Sequence, residues 1–294
     1  MKKFFKKYPA LIVFIGVAVL LSLIFGFYEV IYHVQNSNQQ KAYEELGKDA
    51  WITDLSGEEE TDTGDPEKAA DEAAMKAFLE NADNADEIKR KLSERPNFDK
   101  LWEINPEVIG YLQIPDSNVD YPVLQNLDKR DYYLKRNIDG SSGYPGCIFA
   151  ENINSGDFSD AVTILYGHNM QNGTMFGQLK KYFDEDFRET HKYIYVYRPE
   201  CVTLYEVVAI SPYSEEHLLV DDFVKNGQSF MFSGVKLDDQ VRVINRLKGF
   251  NSELAYFADG EITEEDKLLV LSTCSGNRAR NIVAAKKVFT HWYQ

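Results

Sequence analysis

The chain has little of what marks metal, nucleotide or nucleic-acid chemistry. Three cysteines (Cys147, Cys201, Cys274) and five histidines occur in 294 residues. They form no Cys-x-x-Cys and no His-x-x-x-His pair, and the acidic stretch near the N-terminus lacks the glycine-punctuated Asp pattern of a calcium loop. These absences argue against a metal site. There is no glycine-rich phosphate loop and no internal repeat, so neither a cofactor nor a solenoid is expected. Basic residues are in deficit, 32 Lys and Arg against 47 Asp and Glu, for a net charge of −15. Setting aside Lys2, Lys3, Lys6 and Lys7 leaves 28 basic against 47 acidic residues, or −19, a surface that excludes nucleic acid as partner.

Long apolar runs are also missing, with one exception. Residues Tyr8 to Tyr28 carry no charged side chain, long enough for a helix to cross a hydrocarbon core of roughly 30 Å. The four lysines before it and Glu29 after it predict a cytoplasmic N-terminus and an extracellular remainder. The run ends in Phe27-Tyr28-Glu29-Val30 without a small-x-small cleavage site, which favours an uncleaved anchor over a removed signal. The expected layout is a cytoplasmic tail (1–7), a transmembrane anchor (8–28) and an acidic flexible spacer (29–65), then N-terminal helices (66–97) and a mostly β domain (98–294).

Pro66 followed by an Ala/Glu/Lys-rich stretch predicts one helix, and Ala85 to Leu92 a second. Beyond Pro96 the pattern becomes short β-like runs between Gly, Pro, Asn and Asp: Val108–Ile114, Gly146–Ala150, Ala161–Tyr166, His191–Tyr197, Thr203–Ile210, Lys267–Thr273 and Asn281–Val288. The alternation of Tyr193, Tyr195 and Tyr197 with Ile194 and Val196 reads as a sheet with one side buried. Residues 214–266 interrupt the series, with helical spacing over 237–247.

Chemistry concentrates at two strand ends. Cys274 closes Leu268-Leu-Val-Leu-Ser-Thr-Cys where a polar loop begins, and Arg278 and Arg280 follow it. A nearby cation lowers a thiol pKa toward the reactive thiolate, and an arginine fork can hold an oxyanion. An odd cysteine count in an exported chain leaves at least one thiol outside any internal disulfide. Cys147 and Cys201 read as buried packing residues. A proton-transfer partner is supplied by His168 in Ile164-Leu-Tyr-Gly-His-Asn-Met, after another apolar strand. His33, His191, His217 and His291 are weaker candidates.

Val270-Leu-Ser-Thr-Cys274 followed by arginine, with Tyr166-Gly-His-Asn-Met170 far upstream, resembles the sortases, specifically class B. The resemblance spans about the last two hundred residues and includes Gly110-Tyr-Leu-Gln-Ile-Pro, Val119-Asp-Tyr-Pro-Val-Leu-Gln and Tyr166-Gly-His-Asn-Met-x-x-Gly-Thr-Met-Phe. It implies a mostly β fold, an eight-stranded barrel with preceding helices and a helix-bearing insertion before the cysteine strand. It also implies Cys274 as nucleophile, His168 as general acid/base and Arg280 as oxyanion-holding residue, with Ser272 and Thr273 as substrate contacts. Val270 replaces the family's usual threonine, and the short loop after Cys274 leaves Arg278 in competition with Arg280. The implied activity cleaves a C-terminal sorting motif of surface proteins after Thr and transfers them to a peptidoglycan cross-bridge amine. Alternatives are transfer to a pilin lysine, plain thiol hydrolysis, or a noncatalytic surface domain of the same shape.

Overall fold

The computed structural model describes residues 9–49, 51–53, 65–214, 216–219, 240–274 and 279–293. It opens with helix α1 (Pro9–Asp49), then a short strand β1 (Trp51–Thr53). Helices α2 (Pro66–Asn81) and α3 (Ala85–Ser93) follow, then β2 (Glu94–Pro96) and α4 (Phe98–Ile104). Next come β3 (Val108–Gln113), β4 (Asp120–Gln125), β5 (Ile148–Ala150) and β6 (Val162–His168). After α5 (Glu185–Thr190) come β7 (Tyr193–Arg198), β8 (Cys201–Ser214), α6 (Gln240–Gly249) and β9 (Tyr256–Phe257). The chain ends with β10 (Leu268–Cys274) and β11 (Ala279–Trp292).

Hydrogen bonding runs in the order β11-β10-β6-β5-β4-β3-β7-β8, and β8 pairs back onto β11, so eight strands close a barrel. Closure removes the free strand edges that an open sheet would expose. The pairs β10–β6 and β4–β5 are parallel and the other barrel pairs antiparallel. The short β9 rests on Ala209 and Ile210 of β8. Leu112, Val123, Leu124, Leu165, Val202, Leu204, Leu269, Val270, Leu271 and Val283 are buried within one core cluster. The eight-stranded barrel is therefore present, as is a helix in the insertion, where α6 buries Val243, Ile244 and Leu247.

Two expectations change. The segment 29–49 is not a spacer, because α1 continues through it unbroken to Asp49. Tyr43 lies in the core and donates its hydroxyl to Gly146 O at 2.9 Å, while Gln40 Oε1 accepts from Asn172 Nδ2 at 3.1 Å. These contacts supply the tertiary support that local composition does not. Of the rest of the expected spacer, residues 54–64 lie outside the described residues.

The second change concerns β7. Tyr195 and Tyr197 are as buried as Ile194 and Val196, so both faces of that strand are covered. The outer cover comes from the N-terminal elements. Trp51 packs edge-on to Tyr197, with ring centres 5.0 Å apart, and the Tyr197 hydroxyl donates to Lys91 O in α3. Phe78 of α2 meets Tyr193 and Phe289.

Helix α2 begins as its sequence requires: Asp65 caps Glu67 N at 2.9 Å and Pro66 occupies the first turn. It is fastened to β11 by buried Asp71, which accepts from Lys287 Nζ at 2.9 Å and Thr290 N at 3.1 Å. Asp71→Ala strips both donors of their acceptor and should lower the unfolding free energy by about 2 kcal/mol. The check is a lower urea midpoint at unchanged slope for the full chain in detergent; an unchanged midpoint would show that α2 is not part of the cooperative unit.

Candidate active site

Strands β6 and β10 run side by side in the same direction, in register from Val162↔Leu268 to His168↔Cys274. His168 and Cys274 are thus the final, mutually opposed residues of neighbouring strands. Register alone brings together two residues more than a hundred positions apart in sequence. The hairpin from β10 to β11 adds the third residue. Its antiparallel ladder ends at Ser272↔Ile282, and Cys274 and Arg280 each stand two positions beyond that pair in sequence. Thr273 Oγ1 accepts from Asn281 N at 2.9 Å and fastens the base of that hairpin. Arg278, the competing arginine, lies outside the described residues.

His168 is half-buried, with Nε2 2.6 Å from Leu134 O. A carbonyl can only accept, so Nε2 carries a proton and Nδ1 is the nitrogen through which the neutral ring exchanges one. The Tyr144 ring lies against it, with centroids 4.8 Å apart. Burial holds the imidazole below its ordinary pKa, and the charge of Lys135 acts the same way, against the Leu134 hydrogen bond. The preceding Gly167 is required sterically: a Cβ there would lie 2.5 Å from Ile148 Cδ1 and 2.8 Å from Phe176 Cδ2. Its absence lets those side chains close beneath the end of β6.

Arg280 pairs with Tyr213 in the β8–β11 ladder, and its guanidinium sits 5.6 Å from the centre of the Tyr166 ring. Tyr166 precedes His168 by two residues on β6, so the two occupy the same face of the strand. Arg280 Nη1 is buried with no hydrogen-bond partner among the described residues, an arrangement that favours an incoming acceptor oxygen. Ser272 and Thr273 are both buried; the Thr273 hydroxyl is engaged by Asn281, and Ser272 Oγ has no partner among the described residues.

Beneath Tyr166 lies a polar cluster that motif reasoning passed over. His217, ranked among the weaker histidines, is only 5% exposed and its Nε2 lies 2.7 Å from Glu151 Oε2 and 3.2 Å from Tyr166 Oη. Arg130 Nε donates to the other Glu151 oxygen at 2.7 Å. Burial works to raise the Glu151 pKa, but His217 and Arg130 outweigh it and hold the carboxyl below its ordinary value. For neighbouring Asp131 burial prevails and the pKa is raised, although Arg130, Arg280 and His217 oppose it. The one sequence hint was an acid directly after the apolar strand ending at Ala150. Cys147 and Cys201 are buried free thiols: Cys147 Sγ lies 3.3 Å from Tyr43 Oη, its pKa pushed up to about 12 by burial, and Cys201 Sγ accepts from Arg198. Among the described residues no group of three or more His, Cys, Asp or Glu could hold a metal ion.

The Sortase domain family model matches residues 112–288. Sortase B of Staphylococcus aureus is 30% identical over 201 residues, covering 65% of this chain and 75% of that protein. Sortase B of Listeria monocytogenes is 31% identical over 174 residues, covering 59% of this chain and 65% of that protein, just under two thirds of its length. Among solved structures, sortase B from B. anthracis in complex with AAEK1 superimposes with a TM-score of 0.52 at 30% identity, covering 66% of this chain and 84% of that one. The Staphylococcus aureus sortase B-substrate complex, at 22% identity, shares the fold with a TM-score of 0.58 over 86% of this chain and 98% of that one. With the family model matching more than half of its length, the chain belongs to the sortase family, and the relatives it matches are of class B.

Proposed function

We propose that the protein is a cysteine transpeptidase that cleaves a C-terminal sorting motif of surface proteins after Thr and transfers them to an amino group of peptidoglycan. The observation that supports this most directly is the register that sets Cys274 beside His168 at the ends of two adjacent parallel strands. In the proposed reaction the Cys274 thiolate attacks the threonine carbonyl carbon, His168 protonates the departing amine, and the thioester remains on the enzyme. The incoming amine gives its proton to His168 as it attacks, and the thiolate is released. Arg280, with a buried donor that has no partner among the described residues, holds the tetrahedral oxyanion. The two hydroxyls that precede the nucleophile, Ser272 and Thr273, are retained as substrate contacts; Thr273 Oγ1 accepts from Asn281 N and keeps its own proton to donate.

Helix α1 is exposed along its apolar first half, from Val13 through Phe27, and is the one helix among the described residues long and apolar enough to cross a membrane. We read it as a single-pass anchor with a cytoplasmic N-terminus and an extracellular barrel. The cross-bridge amine is the preferred acceptor, with a pilin lysine as the alternative.

The deciding experiment presents the full chain in detergent with sorting-motif peptides and an amine acceptor, and follows products by mass spectrometry. An amine-linked product and a trapped thioester are expected, both absent in Cys274→Ala. Hydrolysed peptide without amine adduct would indicate a thiol hydrolase, and no thioester with any peptide a noncatalytic domain.

For acylation, the neutral form of His168 accepts the thiol proton, so kcat/KM should fall as pH drops through its pKa. Because that pKa is depressed, the acid limb should lie below the ordinary imidazole value of about 6.5. A limb above it would contradict the burial assigned to the ring. Arg280→Lys keeps the charge but loses the planar fork and should lower kcat by about 10² to 10³ with little change in KM; an equal rise in KM would assign Arg280 to ground-state binding instead.

A further inference from the structure

We propose that the cavity between α1 and the barrel, lined by Tyr28, Tyr32, Gln35, Lys135, Arg136 and Tyr144, binds the headgroup of an anionic phospholipid beside the catalytic histidine. The inference rests on the reading of α1 as a membrane anchor.

Depth is the first argument. Tyr28 ends the uncharged run and also lines the cavity. Helix α1 passes that point without a break, so at about 1.5 Å per residue Tyr32 lies about 6 Å and Gln35 about 10 Å further along the axis. The polar layer on each side of a bilayer is only about 5–8 Å thick. Tyr28 and Tyr32 therefore fall at headgroup level, where tyrosine rings are favoured, and Gln35 stands at its outer edge.

Size and charge supply the second. The cavity holds about 460 Å³, within the range of small-ligand sites. Among the described residues its two charged lining residues are both cations and no carboxylate lines it, on a chain whose net charge is −15. Lys135 makes no ion pair among the described residues, and Arg136 is held over the Tyr132 ring at 4.7 Å with Nη1 on Gly140 O at 3.0 Å. Glu29, the acid next to Tyr28 on α1, is drawn toward His33 at 3.7 Å. Paired cations at this depth attract a lipid phosphate.

The cavity reaches the site through aromatic contact. Tyr32 meets Tyr144 edge-on, with centroids 5.4 Å apart, and Tyr144 lies against His168. Lys135 also disfavours the protonated form of His168. A phosphate on Lys135 offsets that charge, so the lipid surface bears directly on the proton-transfer group.

The test reconstitutes the full chain in phosphatidylcholine bilayers with and without phosphatidylglycerol, then counts retained lipids by native mass spectrometry. Preferential retention of phosphatidylglycerol is expected, with the preference falling about thirtyfold in Lys135→Gln/Arg136→Gln, the worth of two interfacial cations. Lys135→Gln alone, at a side chain with no ion pair among the described residues, should show part of that loss and serves if the double variant does not fold. Equal retention of both lipids, or a preference unchanged in both variants, overturns the proposal while leaving the anchor intact. A chain extracted from the bilayer by alkaline carbonate overturns the anchor itself and the lipid site with it. The Cys274→Ala experiment is unaffected by either result.

Discussion

The parallel register between β6 and β10 is the constraint on which the rest of the site depends. A parallel pair cannot be joined by a tight turn, and here the connection contains β7, β8, the insertion and α6. Of these, β7 and β8 are themselves barrel strands, so the register is held by neighbouring ladders. A slip of one residue would carry Cys274 past His168 and turn the apolar side chains of β10 to the opposite face. With Leu269, Val270 and Leu271 all fully buried, both faces of β10 are close-packed, and a slip is disfavoured because it would misfit side chains on both sides at once.

Closure of the barrel places Arg280 by the same logic. β11 bonds β10 on one side and β8 on the other; the arginine near its start pairs with Tyr213 of β8, two residues beyond the last β10 pair, Ser272↔Ile282. Its guanidinium is then backed by Tyr166, and Tyr166 by His217, Glu151 and Arg130. Ion pairs this deeply buried are weak contributors to net stability, because desolvation offsets much of their attraction. Their effect here is to tie His217 of the insertion to Glu151 and to Tyr166 of β6, while Arg246 Nη1 donating to His217 O and Arg242 Nη2 to Leu219 O fasten α6 to the same segment.

The N-terminal third is structural rather than a tether. It covers the tyrosine face of β7 and brings Tyr32 of α1 to Tyr144 beside His168. On the proposed reading of α1 as an anchor, its unbroken run from the apolar span to the His168 end of the barrel would couple that end to the bilayer more tightly than a flexible spacer.

The local chemistry was legible in the sequence. The apolar runs ending in His168 and Cys274, the Pro66-led helix and the uncharged segment 8–28 follow from side-chain type and spacing over a few residues, and their family resemblance was specific. What the sequence could not supply were contacts between distant segments. The composition of 29–49 does not reveal that Tyr43 finds Gly146, so a helix held by tertiary packing read as a spacer. Tyr193–Tyr197 alternated as a half-exposed strand because the cover over its outer face comes from Trp51 and Lys91, more than a hundred positions earlier. His217 lies in a charged insertion, and only the fold carries it to Glu151. Periodicity reports which face of an element is apolar; what lies against the other face is decided by long-range packing, which a local pattern does not encode.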